Sequence, residues 1–266
     1  MHAVALTWDG SVVVVTGASR GIGREVVEAA AARGAIVGLV ARSQHDLDVT
    51  LAAVGGKGAT AVADVGEPEQ LQAAIEQLVA ALGPVDILVN NAGIGAYGAF
   101  AEAGPDVAER LMRTNYLGAV HATSAVVGSM IERRHGHIVM VGSIAGRLGA
   151  PFEAAYSASK FAMTGLTEAL AVELAPHGIG VSMVNPGPVA TGFFEARGVP
   201  YARRFPRPVS PQRVAAGVMT AVERNRLEIV IPRWLRAAII VRTLVPGLYV
   251  RGATRATAST TATQES

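Results

Sequence analysis

Val12-Val13-Val14-Val15 runs without a break into Thr16-Gly17-Ala18-Ser19-Arg20-Gly21-Ile22-Gly23, and a helical pattern then extends from about Ile22 to Arg33. Four consecutive β-branched residues read as a strand buried on both faces, as in a parallel sheet covered by helices on each side. A strand that empties through glycines into a helix leaves the helix's first N–H groups unpaired at the carboxyl edge of the sheet, where they bind anions. Few folds accommodate that succession.

The same alternation continues along the chain. Strands are predicted at Ala35 to Ala41, Ala59 to Ala63, Asp86 to Val89, Ile138 to Val141, Ile179 to Val184 and Leu227 to Ile231. Helices are predicted between them: Gln44 to Val54, Pro68 to Leu82, one long helix from Pro105 to about Glu132, Tyr156 to Ala175, and one opened by Ser210-Pro211 that reaches Val222. Of 266 residues, 50% are hydrophobic, enough for one substantial core and no obvious second one. The expected architecture is α/β: a single doubly wound domain of Rossmann type with a mainly parallel sheet, spanning residues 1–231.

In such a fold ligands lie across the carboxyl ends of the strands, so the residues there are candidates for binding. The glycine turn makes a dinucleotide pyrophosphate cradle from Gly17, Ser19, Gly21, Ile22 and Gly23. The second strand ends at Arg42-Ser43, where an NAD-binding unit normally places a carboxylate for the ribose hydroxyls. Arg42, with Arg20 in the turn, instead suits a 2′-phosphate, which predicts NADP(H). Asp64 and Val65 end the third strand, placed to meet an adenine ring. Asn91, Ala92 and Gly93 follow the fourth, small enough for close approach to a ligand.

Tyr156 and Lys160 are four residues apart at the start of a predicted helix and so share one face. A free tyrosine is a poor acid near pH 7, and a nearby ammonium lowers its pKa by stabilising the phenolate. Ser143, thirteen residues earlier, can donate a hydrogen bond to a substrate oxygen on which charge develops.

Taken together, Thr16 to Gly23, Asn90 to Gly93, Ser143 before Tyr156-x-x-x-Lys160, and Pro186-Gly187 with Thr191 beyond resemble the motifs of a classical short-chain dehydrogenase/reductase over residues 10–231. The resemblance implies a catalytic tetrad of Asn115, Ser143, Tyr156 and Lys160, with a kink at Asn115 that exposes a main-chain carbonyl to a relay water. It also implies that Pro186 and Gly187 turn over the nicotinamide, that Thr191 reaches the carboxamide or pyrophosphate, and that residues 188–209 form a substrate lid. A homodimer or homotetramer packed through the helix of Tyr156, on its Phe161, Gly165, Leu166 and Ala169 face, is implied as well.

The substrate is less constrained. Phe193, Phe194, Tyr201 and Phe205 in the lid favour a hydrophobic or lipid-like carbonyl or alcohol, whereas Arg197, Arg203, Arg204 and Arg207 suit a 3-oxoacyl thioester on an acidic carrier. A non-enzymatic NADPH-binding sensor or scaffold is the remaining alternative, against which the intact tetrad argues. His135 and His137 have no further ligand cluster beside them, so no metal is expected.

Charge is unevenly distributed. Residues 1–196 carry 11 Lys+Arg against 18 Asp+Glu, whereas residues 197–255 carry 12 Arg against 2 Glu. The skew suits an anionic partner such as a membrane surface, an acidic protein or a charged substrate, and nothing points to nucleic acid. The segment 232–254 mixes apolar residues with arginines and reads either as an interfacial membrane helix or as a helix closing the pocket or a subunit interface. From Arg255 the composition predicts a disordered tail, residues 255–266. With no cysteine and no leader pattern in Met1 to Gly10, the expected location is the cytoplasm, with peripheral membrane attachment left open.

Overall fold

A computed structural model describes residues 6–201 and 206–264, with side chains as far as Arg255. Seven strands form one sheet: β1 (Val12–Thr16), β2 (Ile36–Ala41), β3 (Gly58–Val62), β4 (Ile87–Asn90), β5 (His137–Val141), β6 (Gly180–Pro186) and β7 (Glu228–Ile231). Their order is β3-β2-β1-β4-β5-β6-β7 and every pairing is parallel. The order reverses between β1 and β4, and the crevice at such a reversal is where open α/β sheets take ligands.

Helices cover both faces because the strands are apolar on both. Val13, Val15, Leu39 and Val139 pack towards α1 (Gly21–Ala31) and α8 (Pro211–Glu223). Val14, Val40, Leu88 and Met140 pack towards α3 (Pro68–Leu82), α5 (Gly118–Arg133) and α6 (Ala154–Leu174). The remaining helices are α2 (Gln44–Ala53), α4 (Phe100–Leu111), the short α7 (Phe193–Ala196), α9 (Leu235–Leu244) and α10 (Pro246–Gln264). Ser43 and Ser210 cap α2 and α8 by accepting from the N–H groups of Asp46 and Arg213.

One expectation changes. The long helix predicted from Pro105 is α4, a π-helical stretch (Met112–Leu117) and α5; α4 begins at Phe100 and is kinked at Gly104, just before Pro105. A wider π turn shifts the hydrogen-bond register and locally re-aims the chain. At the C-terminus α10 continues as helical backbone through Gln264. Pro246 ends α9 and fits the first position of α10, after which each added residue costs far less than nucleation. Arg203, Arg204 and Phe205 of the predicted lid lie outside the described residues.

Candidate active site

The carboxyl edge of the sheet opens into a cleft of about 910 Å³. It is lined by Gly17, Ser19, Arg20, Gly21, Ile22, Arg42, Asp64, Val65, Asn91, Ala92, Gly93, Ser143, Tyr156, Lys160, Pro186, Gly187 and Thr191. Of the residues singled out from sequence, Gly23 and Asn115 do not line it. Both stand behind its wall.

Gly23 sets the tightness of the turn. A Cβ there would overlap the Gly17 carbonyl and crowd Asn91 Nδ2 at 2.5 Å. Gly17 itself has φ +65°, a conformation costly for any residue with a side chain. The turn is tied to β4: Asn91 Nδ2 donates to the carbonyls of Thr16 (2.9 Å) and Gly17 (3.1 Å), and Thr16 Oγ1 accepts from the N–H groups of Asn91 and Ala92, each at 3.1 Å. Unlike α2 and α8, helix α1 has no side-chain cap, and its first turn carries no acidic residue. Its first N–H groups are thus left for an anion, and the residues present fit a dinucleotide pyrophosphate. Across the cleft, Thr191 approaches Gly21.

At the adenosine end, Arg42 lies 3.8 Å from Asp64 and keeps 68% of its side chain exposed. Asp64 Oδ1 also accepts from the Gly66 N–H at 2.9 Å. Sequence placed Arg42 and Asp64 separately; the structure pairs them loosely.

Asn115 lies in the π-helical stretch and is buried. Its Oδ1 accepts from the Ile94 N–H at 2.8 Å, and its Nδ2 donates to the Ile94 carbonyl at 3.0 Å and to Ser159 Oγ at 2.9 Å. Ser159 Oγ in turn donates to the Tyr156 carbonyl at 2.7 Å. The amide clamps the segment after β4 to α6.

Ser143 follows β5 and starts a short 3₁₀ turn, accepting from the Ala145 N–H at 3.1 Å. It also neighbours the Tyr156 phenol. Burial pushes the phenol up to about 12, and the nearby Ser143 hydroxyl pulls it partly back. Burial pushes the Lys160 ammonium down to about 8. The ammonium donates to the Val141 carbonyl at 3.1 Å and to Met163 Sδ at 3.5 Å. Desolvation is the largest influence on the phenol, and the ammonium, one helical turn away, is held by the Val141 carbonyl.

The far end of the cleft holds groups that sequence spacing does not relate. Arg197 on the loop after α7 ion-pairs with Glu153 at the start of α6, and its guanidinium lies 4.8 Å from the Tyr97 ring and 4.7 Å from the Phe194 ring. Phe193 packs on Tyr156 with ring centroids 5.7 Å apart. Tyr249 of α10 reaches over the cleft and donates its hydroxyl to the Gly149 carbonyl at 2.7 Å. The two adjacent histidines go to different places. His137 is buried against Ser182 Oγ at 2.8 Å, whereas half-exposed His135 stands 3.6 Å from Asp86.

A family model described as short chain dehydrogenase matches residues 11–199. The chain belongs to the short-chain dehydrogenase family. It is 36% identical over 258 residues to dehydrogenase/reductase SDR family member 7B of Bos taurus, covering 91% of this chain and 79% of the relative. A short-chain dehydrogenase/reductase from Burkholderia phymatum, solved in complex with NAD, superposes with a TM-score of 0.83 at 28% identity, covering 91% of this chain and 96% of the other. A short-chain dehydrogenase from Sphingobium yanoikuyae, solved in complex with NADPH, superposes with a TM-score of 0.78 at 28% identity, covering 94% and 95%. As a short-chain dehydrogenase the chain is an oxidoreductase of Rossmann fold that uses a nicotinamide nucleotide.

Proposed function

We propose that this short-chain dehydrogenase is NADP(H)-dependent and interconverts a carbonyl and an alcohol on a hydrophobic or lipid-like substrate. The observation that carries the reading is Tyr156, a buried phenol at the cleft wall, beside Ser143 and one helical turn from Lys160. With its pKa raised by burial, the phenol is protonated at neutral pH. In the reducing direction Tyr156 gives that proton to the substrate oxygen, and Ser143 donates a hydrogen bond to the same atom as charge builds on it. When bound, the nicotinamide supplies or accepts the hydride.

Lys160 holds the nicotinamide ribose and is the cation nearest to hand when Tyr156 loses its proton. Asn115, its side-chain amide fully engaged, has its main-chain carbonyl to offer a relay water, and a π turn is the kind of break that frees one. Gly17, Ser19, Gly21 and Ile22 cradle the pyrophosphate over the tight turn that Gly23 permits. Asp64 and Val65 flank the adenine, while Asn91, Ala92, Gly93, Pro186, Gly187 and Thr191 border the rest of the cofactor.

NADP(H) is supported by Arg42 and Arg20 at the adenosine end and by the want of a carboxylate at the end of β2. The solved neighbours were captured one with NAD and one with NADPH, so the chain's own residues carry the choice. The hydrophobic substrate is supported by Tyr97, Leu148, Phe193, Phe194, Tyr201 and Tyr249 around the far end. Arg197 there is already answered by Glu153, which weakens the case for an anionic thioester. A homodimer or homotetramer through α6 fits its exposed Gly165, Ala169 and Val172, on one face at helical spacing. A peripheral membrane contact through the C-terminal helices completes the reading.

The test is NADPH oxidation by purified protein against a panel of hydrophobic ketones and aldehydes and 3-oxoacyl thioesters. Turnover of the hydrophobic class that vanishes in Tyr156→Phe, with NADPH affinity retained, is the expected result. Substantial activity in Tyr156→Phe removes it as the proton donor. Arg42→Asp should move preference towards NADH; an unchanged preference sinks the 2′-phosphate assignment.

A further inference from the structure

The C-terminal helices carry a surface that the proposed reaction does not use. On α9, Ala237, Ile240, Val241 and Leu244 follow one another at three, four and seven residue steps and are all exposed. Val245, Leu248 and Val250 continue the apolar surface into α10. Leu244 is 74% exposed, Leu248 57% and Val250 58%, and soluble surfaces scatter such side chains singly rather than collecting them. Exposed Arg233, Arg236, Arg251 and Arg255 accompany this surface, and no Asp or Glu occurs from Ile229 to Gln264.

What covers the surface follows from that charge. A two-fold contact with a second copy would set the arginine-rich face against itself with no carboxylate to answer it. Among the described residues no helix is long and apolar enough to cross a membrane. An anionic lipid surface satisfies both halves of the pattern: the side chains of Ile240, Leu244 and Leu248 enter the headgroup–acyl boundary, and the arginines reach lipid phosphates. Residues 1–196, with 11 Lys+Arg against 18 Asp+Glu, are repelled by the same surface, which orients the molecule tail first.

We propose that α9 and α10 lie flat on an anionic lipid surface and form a peripheral docking face. The opposite side of the same helices belongs to the cleft: Leu235, Tyr249 and Ala253 line it, and Arg242 stacks on Phe161 of α6 at 5.1 Å, fixing α9 to the body. Docking therefore sets one wall of the cleft against lipid. If the hydrophobic-substrate reading holds, on which this clause alone rests, the substrate enters from the lipid phase past Tyr249.

Flotation of the purified full-length chain with phosphatidylcholine vesicles, with and without phosphatidylserine, tests the face directly. Binding at low salt should be at least about tenfold tighter with phosphatidylserine and should fall steeply in high salt. Leu244→Glu/Leu248→Glu should abolish it while leaving the melting temperature and the turnover of a small water-soluble carbonyl unchanged. Arg251→Gln/Arg255→Gln, a milder change, should weaken it severalfold. Failure of the folded wild type to bind, or equal binding by the Leu244→Glu/Leu248→Glu variant, overturns the proposal. So does a dimer that this variant splits, which would give the face to a second copy. Vesicle binding is read without turnover, so an inactive protein that still binds would sink the reductase reading alone. A long-chain ketone carried in phosphatidylserine vesicles should be reduced faster by the wild type than by the variant; equal rates overturn entry from the lipid.

Discussion

Arg197 and Glu153 are forty-four positions apart and form an ion pair that joins the segment after α7 to the N-terminus of the helix bearing Tyr156. The side chains are only 5% and 18% exposed, and Arg197 is held further by Tyr97, Phe194 and the Val199 carbonyl. The segment after α7 is thus tied to α6 three residues before Tyr156, at the far end of the cleft.

Arg197→Met should leave the Glu153 carboxylate without its partner and loosen that segment. Removing one member of a buried pair costs about 3 kcal/mol, part of which falls on local closure rather than on global unfolding. Steady-state kinetics should show KM rising about tenfold with kcat within a few-fold, since Tyr156 and Ser143 are untouched. Glu153→Gln/Arg197→Met should recover most of the stability by removing both charges. A KM unchanged in Arg197→Met would mean that the pair has no part in substrate binding.

Asn115→Ala removes three hydrogen bonds and leaves the N–H and carbonyl of Ile94 to find other partners. At about 1–3 kcal/mol for each buried group left unsatisfied, a loss of about 3 kcal/mol is expected in urea unfolding, together with loss of turnover. Asn115→Asp retains an acceptor for the Ile94 N–H but not the donor to Ser159, and should fall between. An Asn115→Ala protein as stable and as active as the wild type would show that the side-chain amide is needed neither for the fold nor to place the main-chain carbonyl.

The contrast between these sites and the glycine turn shows what a sequence exposes. Val12 to Val15 and the glycines after them are contiguous, so their strand, turn and helix follow from local sterics. Tyr156 and Lys160 are one helical turn apart, which also makes their shared face legible. Asn115 bonds residues 21 and 44 positions away, Arg197 answers Glu153, and Tyr249 closes on Gly149 a hundred residues earlier. Such partners are set by how α6, the segment after α7 and α10 pack on the sheet, and no periodicity encodes that. The Tyr156 pKa depends on packing in the same way: spacing gives the neighbouring ammonium, whereas burial sets how far the phenol is raised.

Lys160 carries an opposing demand. Burial lowers its folded-state pKa to about 8, below the usual 10.5, so the folded state binds fewer protons than the unfolded between those values and stability rises with pH across that window. Below pH 8 the full penalty of burying the ammonium is present. Lys160→Met should therefore give a protein free of cofactor that is at least as stable as the wild type at pH 7, with turnover abolished. Chemical denaturation at pH 7 and 9 checks both points: the wild type should gain stability between them, and the variant should not. A variant markedly less stable at pH 7 would show that the bond to the Val141 carbonyl outweighs desolvation.

His137 predicts the acid limb. It is buried at the start of β5 beside Ser182, and burial lowers its pKa from 6.5 to about 4. The unfolded chain protonates this ring as pH falls below 6.5, whereas the folded chain resists until about 4. The stabilisation of the neutral ring is thus complete above 6.5 and is lost progressively between 6.5 and 4. At 1.36 kcal/mol per pH unit the loss amounts to about 3 kcal/mol. Urea midpoints measured from pH 7.5 to 4.5 should fall along that slope in the wild type. His137→Asn, smaller and unable to titrate, should start lower because it leaves a cavity and Ser182 less well bonded, but its midpoint should decline more shallowly over the same range. Parallel slopes for the two proteins would move the acid sensitivity to the carboxylates and leave His137 as a packing residue alone.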